Sequence, residues 1–331
     1  EEVSREKQVI NKEMERSDAS IARQFYQHAQ SNFYRVHPIQ YPVIGYPHLF
    51  NKVSRDDIVA YYREHYVPSN MILVIGGRFE RQDMRRLIQE TFGSVSSKPK
   101  PERIVMTEPR ALAPRVKSVV ATTNVTRISL RFPTVSFQHR DLYALDLLDY
   151  ILGNGSQSKL VKELVEQKQL AYSVYTSSYT PSVTSGYFNI HLELDEKNKR
   201  LALEEVWEIL NQVKKGRVSK QALNRAKKQK LTEDVLSVQT IVDKVNRAAL
   251  SMLYSGTPHF FTEYAARFKS VTRKDVQRVA ATYLDPNSVV MTVMTPAKEK
   301  VDESVAEKKE VGKPITPQLM SLSNGVRVIM Y

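Results

Sequence analysis

The sequence predicts an α+β protein made of two-layer, sheet-plus-helices units that are internally repeated. Two observations carry this prediction. Helical periodicity alternates with short apolar runs in hairpin-like strand pairs, which points to layered α+β domains rather than a doubly wound sheet. In addition, Val53-Ser54-Arg55-Asp56-Asp57-Ile58 recurs as Val271-Thr272-Arg273-Lys274-Asp275-Val276. Each copy continues through a helix ending near a tyrosine (Tyr66 or Tyr283). Pro68 and Asn70 follow in one copy, Pro286 and Asn287 in the other. An apolar strand then closes each copy, Met71 to Ile75 and Val289 to Val293. Self-similarity of this kind marks a repeated supersecondary unit. It predicts two domains with one shared ending, the chain holding the tail of the first and all of the second.

Residues 2 to 30 read as one long polar helix with an apolar stripe at Val9, Ile10, Met14 and Ile21. His37 to Pro47, with three prolines, is an extended connection. Ser54 with Asp57 forms a capping-box variant that opens a helix to about His65, stopped before Pro68. Met71 to Gly76 reads as a strand buried at a sheet centre. A helix from Arg81 to Thr91 closes at Gly93. Residues 94 to 116, with Pro99, Pro101, Pro109 and Pro114, form a linker. Strands are then expected at Val116 to Thr122, Arg127 to Phe132, Ala171 to Ser177 and Gly186 to Leu194. Helices are expected at Arg140 to Leu152, Gln157 to Gln167, Asn198 to Lys215, Ser219 to about Tyr254, and Arg273 to Tyr283. Ala297 to Lys313 is a charged linker, and Asn324-Gly325 between apolar, alternating segments signals a hairpin turn. The strand that runs to Tyr331 leads to the expectation of a further domain.

Length and composition bound the function. At 331 residues and 41% hydrophobic, the chain can bury one or two cores. No window approaches the roughly 18 apolar residues of a membrane-spanning helix, and Glu1 onward has no apolar stretch of a secretory signal. There is no cysteine, so disulfides, Cys-ligated zinc and a thiol nucleophile are excluded. The net charge of +13 could attract acidic partners. The densest basic run is Lys214, Lys215, Arg217, Lys220, Arg225, Lys227, Lys228 and Lys230, and no aromatic residue interleaves it. A base-stacking platform needs such residues, so the run reads as a solvated helix face and no nucleic-acid partner is expected. Gly153-Asn154-Gly155-Ser156 lacks the Lys-Ser/Thr of a phosphate loop, and no Gly-x-Ser-x-Gly is present.

Three segments together resemble the pitrilysin (insulinase) family of zinc peptidases, the inverzincins. Glu6-Lys7-Gln8-Val9-Ile10-Asn11-Lys12-Glu13-Met14 is similar to the family's glutamate-bearing helix. Leu147 to Ser156, running on to Leu170-Ala171-Tyr172-Ser173-Val174, is similar to the core of the family's second domain. Leu322-Ser323-Asn324-Gly325-Val326-Arg327-Val328 is similar to the strand that opens each half of a family member. The resemblance implies 1–96 as the C-terminal part of a first metallopeptidase domain, 97–116 as linker and 117–297 as a second metallopeptidase-like domain. Residues 298–331 would be a linker and the first strand of a following domain.

In the family, a His-x-x-Glu-His helix supplies two zinc ligands and a base that activates water. The resemblance places the third Zn2+ ligand at Glu13, with Glu6 two helical turns earlier as a supporting carboxylate. Taken alone, both read as ordinary solvated helix charges. The histidine pair is not in this sequence. Its nearest approach, Tyr61-Tyr62-Arg63-Glu64-His65, has tyrosine at the first ligand position and lies after the glutamate helix. His65 therefore reads as a helix-end residue favoured by the dipole. A family Tyr–Arg pair that stabilises the oxyanion is matched only by Tyr172, with Val165 at the arginine position, so Tyr172 reads as a buried structural tyrosine.

The expected function is thus part of a zinc metalloendopeptidase acting on peptides or short unfolded polypeptides, inactive without the His-x-x-Glu-His segment. Its partners would be peptide substrate, that N-terminal zinc-binding segment and a C-terminal second half of the same polypeptide. The expected location is the bacterial periplasm or cell envelope, with the cytoplasm as the alternative. The alternative is a non-catalytic scaffold half of a pitrilysin-like assembly.

Overall fold

The structure, a computed structural model, describes residues 2–102, 106–297, 318–321 and 327–330. Glu1–Ala297 form one compact unit and Lys298–Tyr331 a second.

The first helical stretch is two helices rather than one, α1 (Glu2–Ala19) and α2 (Ile21–Phe33). Ser20 stands between them in extended conformation, and its side chain accepts a hydrogen bond from the Arg23 N–H at 3.4 Å. A serine that can cap a new helix start satisfies a backbone donor that a continuous helix would not free. The short α3 (Pro47–Phe50) lies in the proline-rich connection, and α4 (Arg55–His65) follows with the expected capping box. Ser54 Oγ accepts from the Asp57 N–H at 3.1 Å while Asp57 Oδ2 accepts from the Ser54 N–H at 2.8 Å.

Residues 71–76 were expected as a buried strand and are not one. They pair with no strand among the described residues, and Met71, Ile72, Leu73 and Ile75 are exposed. A strand exists only through hydrogen bonds to a neighbour, so apolar sequence without a partner stays irregular. Helix α5 (Arg81–Phe92) ends at Gly93 as expected.

Five strands form one sheet: β1 (Arg115–Ala121), β2 (Thr126–Pro133), β3 (Ser173–Tyr179), β4 (Tyr187–Leu194) and β5 (Val290–Pro296). Their spatial order is β1-β5-β2-β4-β3. β1 runs parallel to β5 and the other pairs are antiparallel. Between and after the strands come α6 (Leu142–Leu152), α7 (Lys159–Val161), α8 (Lys199–Lys214), α9 (Lys220–Leu236), α10 (Ile241–Ser255), α11 (Phe260–Ser270) and α12 (Arg273–Tyr283). α7 continues as a π-helical turn, Lys162–Gln167.

The long helix expected from Ser219 to Tyr254 is interrupted. Thr240 and Asp243 close a second capping box that starts α10 as a separate helix. α11 was not anticipated, and its inward residues Tyr264 and Phe268 join the core. Of the basic run, Lys215, Arg217, Lys220, Arg225 and Lys228 are exposed as expected, while Lys214, Lys227 and Lys230 are half-buried. Arg225 donates to the Gln157 carbonyl, Lys227 to the Lys269 carbonyl, and Lys230 pairs with Asp234 at 2.8 Å.

Alternation along the strands sorts residues to two faces. Ile128, Leu130 and Phe132 of β2 with Phe188, Ile190 and Leu192 of β4 are fully buried in the cluster that holds α6, α8 and α12. α6 is apolar almost all round because it lies within this layer, packed against β3, α9, α11 and α12. Each of its buried leucines contributes roughly 2 kcal/mol of transfer free energy. A Cβ on Gly153, where α6 ends, would sit 2.6 Å from the Thr176 nitrogen of β3, so only glycine allows that approach. Arg278 forks onto Asp141 with bonds of 2.6 and 2.9 Å and ties α12 to the start of α6.

α2 lies on the opposite face. Its Asn32 donates to the Met291 carbonyl and to Thr292 Oγ1, both at 3.0 Å, and Arg115 Nη2 donates to the Phe33 carbonyl at 2.9 Å. In the second unit, β6 (Gln318–Ser321) pairs antiparallel with β7 (Arg327–Met330), giving the expected hairpin, whose Asn324-Gly325 turn lies outside the described residues.

Candidate functional site

α1 places Glu6 and Glu13 two turns apart on one flank of the helix, beside the stripe that buries Met14 and Ser17. Both carboxylates are exposed, and Glu6 lies 3.6 Å from Arg5. Among the described residues, no group of three His, Asp or Glu side chains converges to hold a metal. The described residues therefore do not by themselves assemble a zinc site, and among them Glu13 stands as a single carboxylate.

His65 ends α4, stacked on Tyr61 at 3.9 Å between ring centroids with Nδ1 3.1 Å from the Tyr61 carbonyl. Tyr172 is exposed rather than buried: it precedes the edge strand β3, and its backbone N–H donates to the Glu193 carbonyl at 2.8 Å. Its hydroxyl hydrogen-bonds Asp195, which raises its pKa. Val165 packs against the core.

The structure brings together residues that the sequence reading did not single out. Arg127, Ser129 and Arg131 of β2 alternate with the core residues and so face α2, as do Asn189, His191 and Glu193 of β4. With Tyr26 and Phe25 of α2 and Tyr175 of β3 they line a cavity of about 400 Å³. A polar sheet face normally meets water, but here Ser129, Arg131, Asn189 and His191 are buried. The strict polar alternation of 127–131 and 189–193 was visible in the sequence. That a helix some 100 residues upstream covers it was not.

Within the cavity Arg127 Nε donates to Glu193 Oε1 at 2.8 Å and Ser129 Oγ to Asn189 Oδ1 at 2.6 Å. His191 lies edge-on to Phe25 and stacked on Tyr175, and burial pushes its pKa down to about 4. Arg131 packs over the Tyr187 ring, 4.2 Å from its centroid, and burial lowers its pKa as well.

The fold is thus a helix-backed mixed sheet with a polar pocket and, among the described residues, no group of side chains that converges on a metal. Residues 52–230, more than half of the chain, match the family model described as the peptidase M16 inactive domain. The chain belongs to the M16, or pitrilysin, peptidase family. It is 24% identical to a probable mitochondrial-processing peptidase subunit beta of Schizosaccharomyces pombe, over 84% of this chain and 63% of that protein. It is 27% identical to an uncharacterized zinc protease of Streptomyces coelicolor, over 78% of this chain and 57% of that one. Among solved structures, a protease from Helicobacter pylori superposes with a TM-score of 0.80 at 23% identity, covering 88% of this chain and 71% of that one. The chain thus spans about 60% of the length of these two curated relatives.

Proposed function

We propose that the chain is part of a zinc metalloendopeptidase that hydrolyses peptides or short unfolded polypeptides, and that it does not cut peptides by itself. Membership of a family whose relatives are named zinc proteases supports this reading. The observation that carries it is the pairing of Glu6 and Glu13 on one exposed flank of α1, in a chain that contains no His-x-x-Glu-His. Glu13 is assigned as a zinc ligand whose companion histidines lie outside these 331 residues, with Glu6 as the supporting carboxylate. The exposed apolar surface of α4, 71–76 and α5 agrees with a first domain, residues 1–96, whose sheet is completed by other residues. Tyr172 is assigned to substrate contact at the β3 edge. No helix of the described residues is long and apolar enough to cross a membrane.

The test compares this chain with a longer polypeptide that includes a His-x-x-Glu-His segment, measuring bound zinc and hydrolysis of a quenched fluorescent peptide. Zinc and hydrolysis are expected only in the longer protein, and Glu13→Gln should abolish both. Hydrolysis by this chain alone would overturn the assignment. A longer protein with neither zinc nor activity would favour a scaffold half, a second reading favoured by the family model's own description as an inactive domain.

A further inference from the structure

Of the charged residues lining the cavity under α2, Arg127 and Glu193 neutralise each other at 2.8 Å, and Arg127 Nη1 also donates to Thr123 at 2.7 Å. Arg131 is different. It is only 3% exposed, and among the described residues no carboxylate pairs with it. Its Nη1 donates to Gln30 Oε1 at 2.8 Å, while Nε has no partner. The rings of Tyr187 and Tyr26, 4.2 and 5.6 Å from the guanidinium carbon, steady the cation but take up none of its N–H donors. A buried charge with idle donors is costly unless something pairs with it.

The rest of the cavity fixes what that partner is. His191 is neutral near pH 7, because burial against Phe25 and Tyr175 disfavours its charged form. With Arg127 and Glu193 cancelled, the lining carries one net positive charge. Asn189 accepts from Ser129 through Oδ1, and its amide nitrogen has no acceptor among the described residues. One wall is the edge strand β3, which among the described residues pairs only with β4, so its outer backbone groups are open to an added extended chain. Tyr26 and Tyr175 are half-exposed there and offer ring faces to such a chain.

We propose that this cavity binds a single carboxylate carried by a peptide, held by the Nη donors that Arg131 leaves unused and by the Asn189 amide, with Tyr26 and Tyr175 against the adjoining chain. One negative charge matches the net charge of the lining, whereas a phosphate dianion would bring a second charge with no cation to meet it. The flat guanidinium fork also suits a carboxylate. The choice of a peptide rests on the peptidase reading; the choice of a carboxylate does not.

The experiment titrates the 331-residue chain by fluorescence anisotropy with four dye-labelled peptides. These are pentaalanine with a free carboxylate, its carboxamide twin, and the carboxamide form with a central Asp or Asn. The carboxylate form of at least one pair is expected to bind about tenfold more tightly than its neutral twin. That preference should vanish in Arg131→Gln and in Asn189→Asp, where the introduced carboxylate occupies the guanidinium from within. Equal or absent binding within both pairs would overturn the proposal. So would a preference that survives in Asn189→Asp, which decides the matter even if Arg131→Gln fails to fold. Inorganic phosphate displacing the peptide at lower concentration than acetate would overturn the choice of carboxylate. None of these readouts involves zinc or hydrolysis, so a failure of the peptidase reading is seen separately.

Discussion

Ser54–Asp57 and Thr272–Asp275 close the same capping box, and each opens a helix of 11 residues followed by a 3-10 turn that begins at a proline. From there the two copies part. In the second copy the chain becomes β5, hydrogen-bonded on both sides between β1 and β2. In the first, residues 71–76 pair with nothing described. The helices differ in the same way. Val276, Val279 and Ala280 of α12 are 0% exposed, whereas the matching Ile58, Tyr61 and Tyr62 of α4 are 44%, 59% and 59% exposed. Local sequence therefore sets where each helix starts and stops, and neighbours decide whether the apolar stripe becomes core.

The largest test of this difference is Val279→Asp against Tyr61→Asp. An aspartate at 279 buries an unpaired charge, so a loss of about 4 kcal/mol or failure to fold is expected. The same change at 61 should cost less than about 0.5 kcal/mol in urea unfolding of this chain. Equal losses would mean that α4 is packed in solution and would erase the contrast.

A second test uses titration, since buried carboxylates are found around the closed core. Burial raises Asp146 to about 6 and Asp149 to about 7, even though Tyr264 and Thr176 hydrogen-bond them. Free carboxyls titrate near 4, so between these values the folded chain holds more protons than the unfolded one. The contribution of these groups to stability is therefore greatest in acid and falls as pH rises towards 7, by up to about 1.4 kcal/mol per unit for each proton. His191, held neutral to about pH 4, acts oppositely, losing stability as pH falls below about 6.5. Asp149→Asn should therefore gain on the natural chain by about 1.4 kcal/mol per pH unit between pH 4.5 and 6.5 in thermal melts. A difference that does not change with pH would remove Asp149 from the titration.

The smallest effect is at the caps. Thr272→Ala should cost about 1 kcal/mol of global stability, as caps usually do. Ser54→Ala removes the hydroxyl's two hydrogen bonds to Asp57, as Thr272→Ala does those to Asp275, but its effect should appear as faster amide exchange confined to α4, with little change in the global midpoint. A global loss at Ser54 equal to that at Thr272 would show that the first copy folds together with the core.

Much of this was legible beforehand because it is local. Capping residues, prolines and period-2 runs gave four of the five strands of the sheet to within about two residues at their ends. The glutamate helix was placed correctly in chain position but not its break, although Ser20 carried the cap signal. The Thr240–Asp243 box was equally visible and was overlooked within a long helical pattern. Tyr172 was misjudged because exposure at a sheet edge depends on which strand lies outermost. The Arg131 cavity was missed for the same kind of reason: alternation names the polar face but cannot say what lies over it.

The sequence by itself determined the helix caps, the strand periodicity, the repeated ending and the lack of a His-x-x-Glu-His pair. These depend on side chains acting on their own backbone within a few residues. Only the tertiary structure decided that one copy of the repeat is core and the other surface. It also decided that α2 closes over a polar sheet face and leaves a buried guanidinium with unused donors. Strand pairing and burial are properties of contacts between distant segments, and no local pattern carries that information.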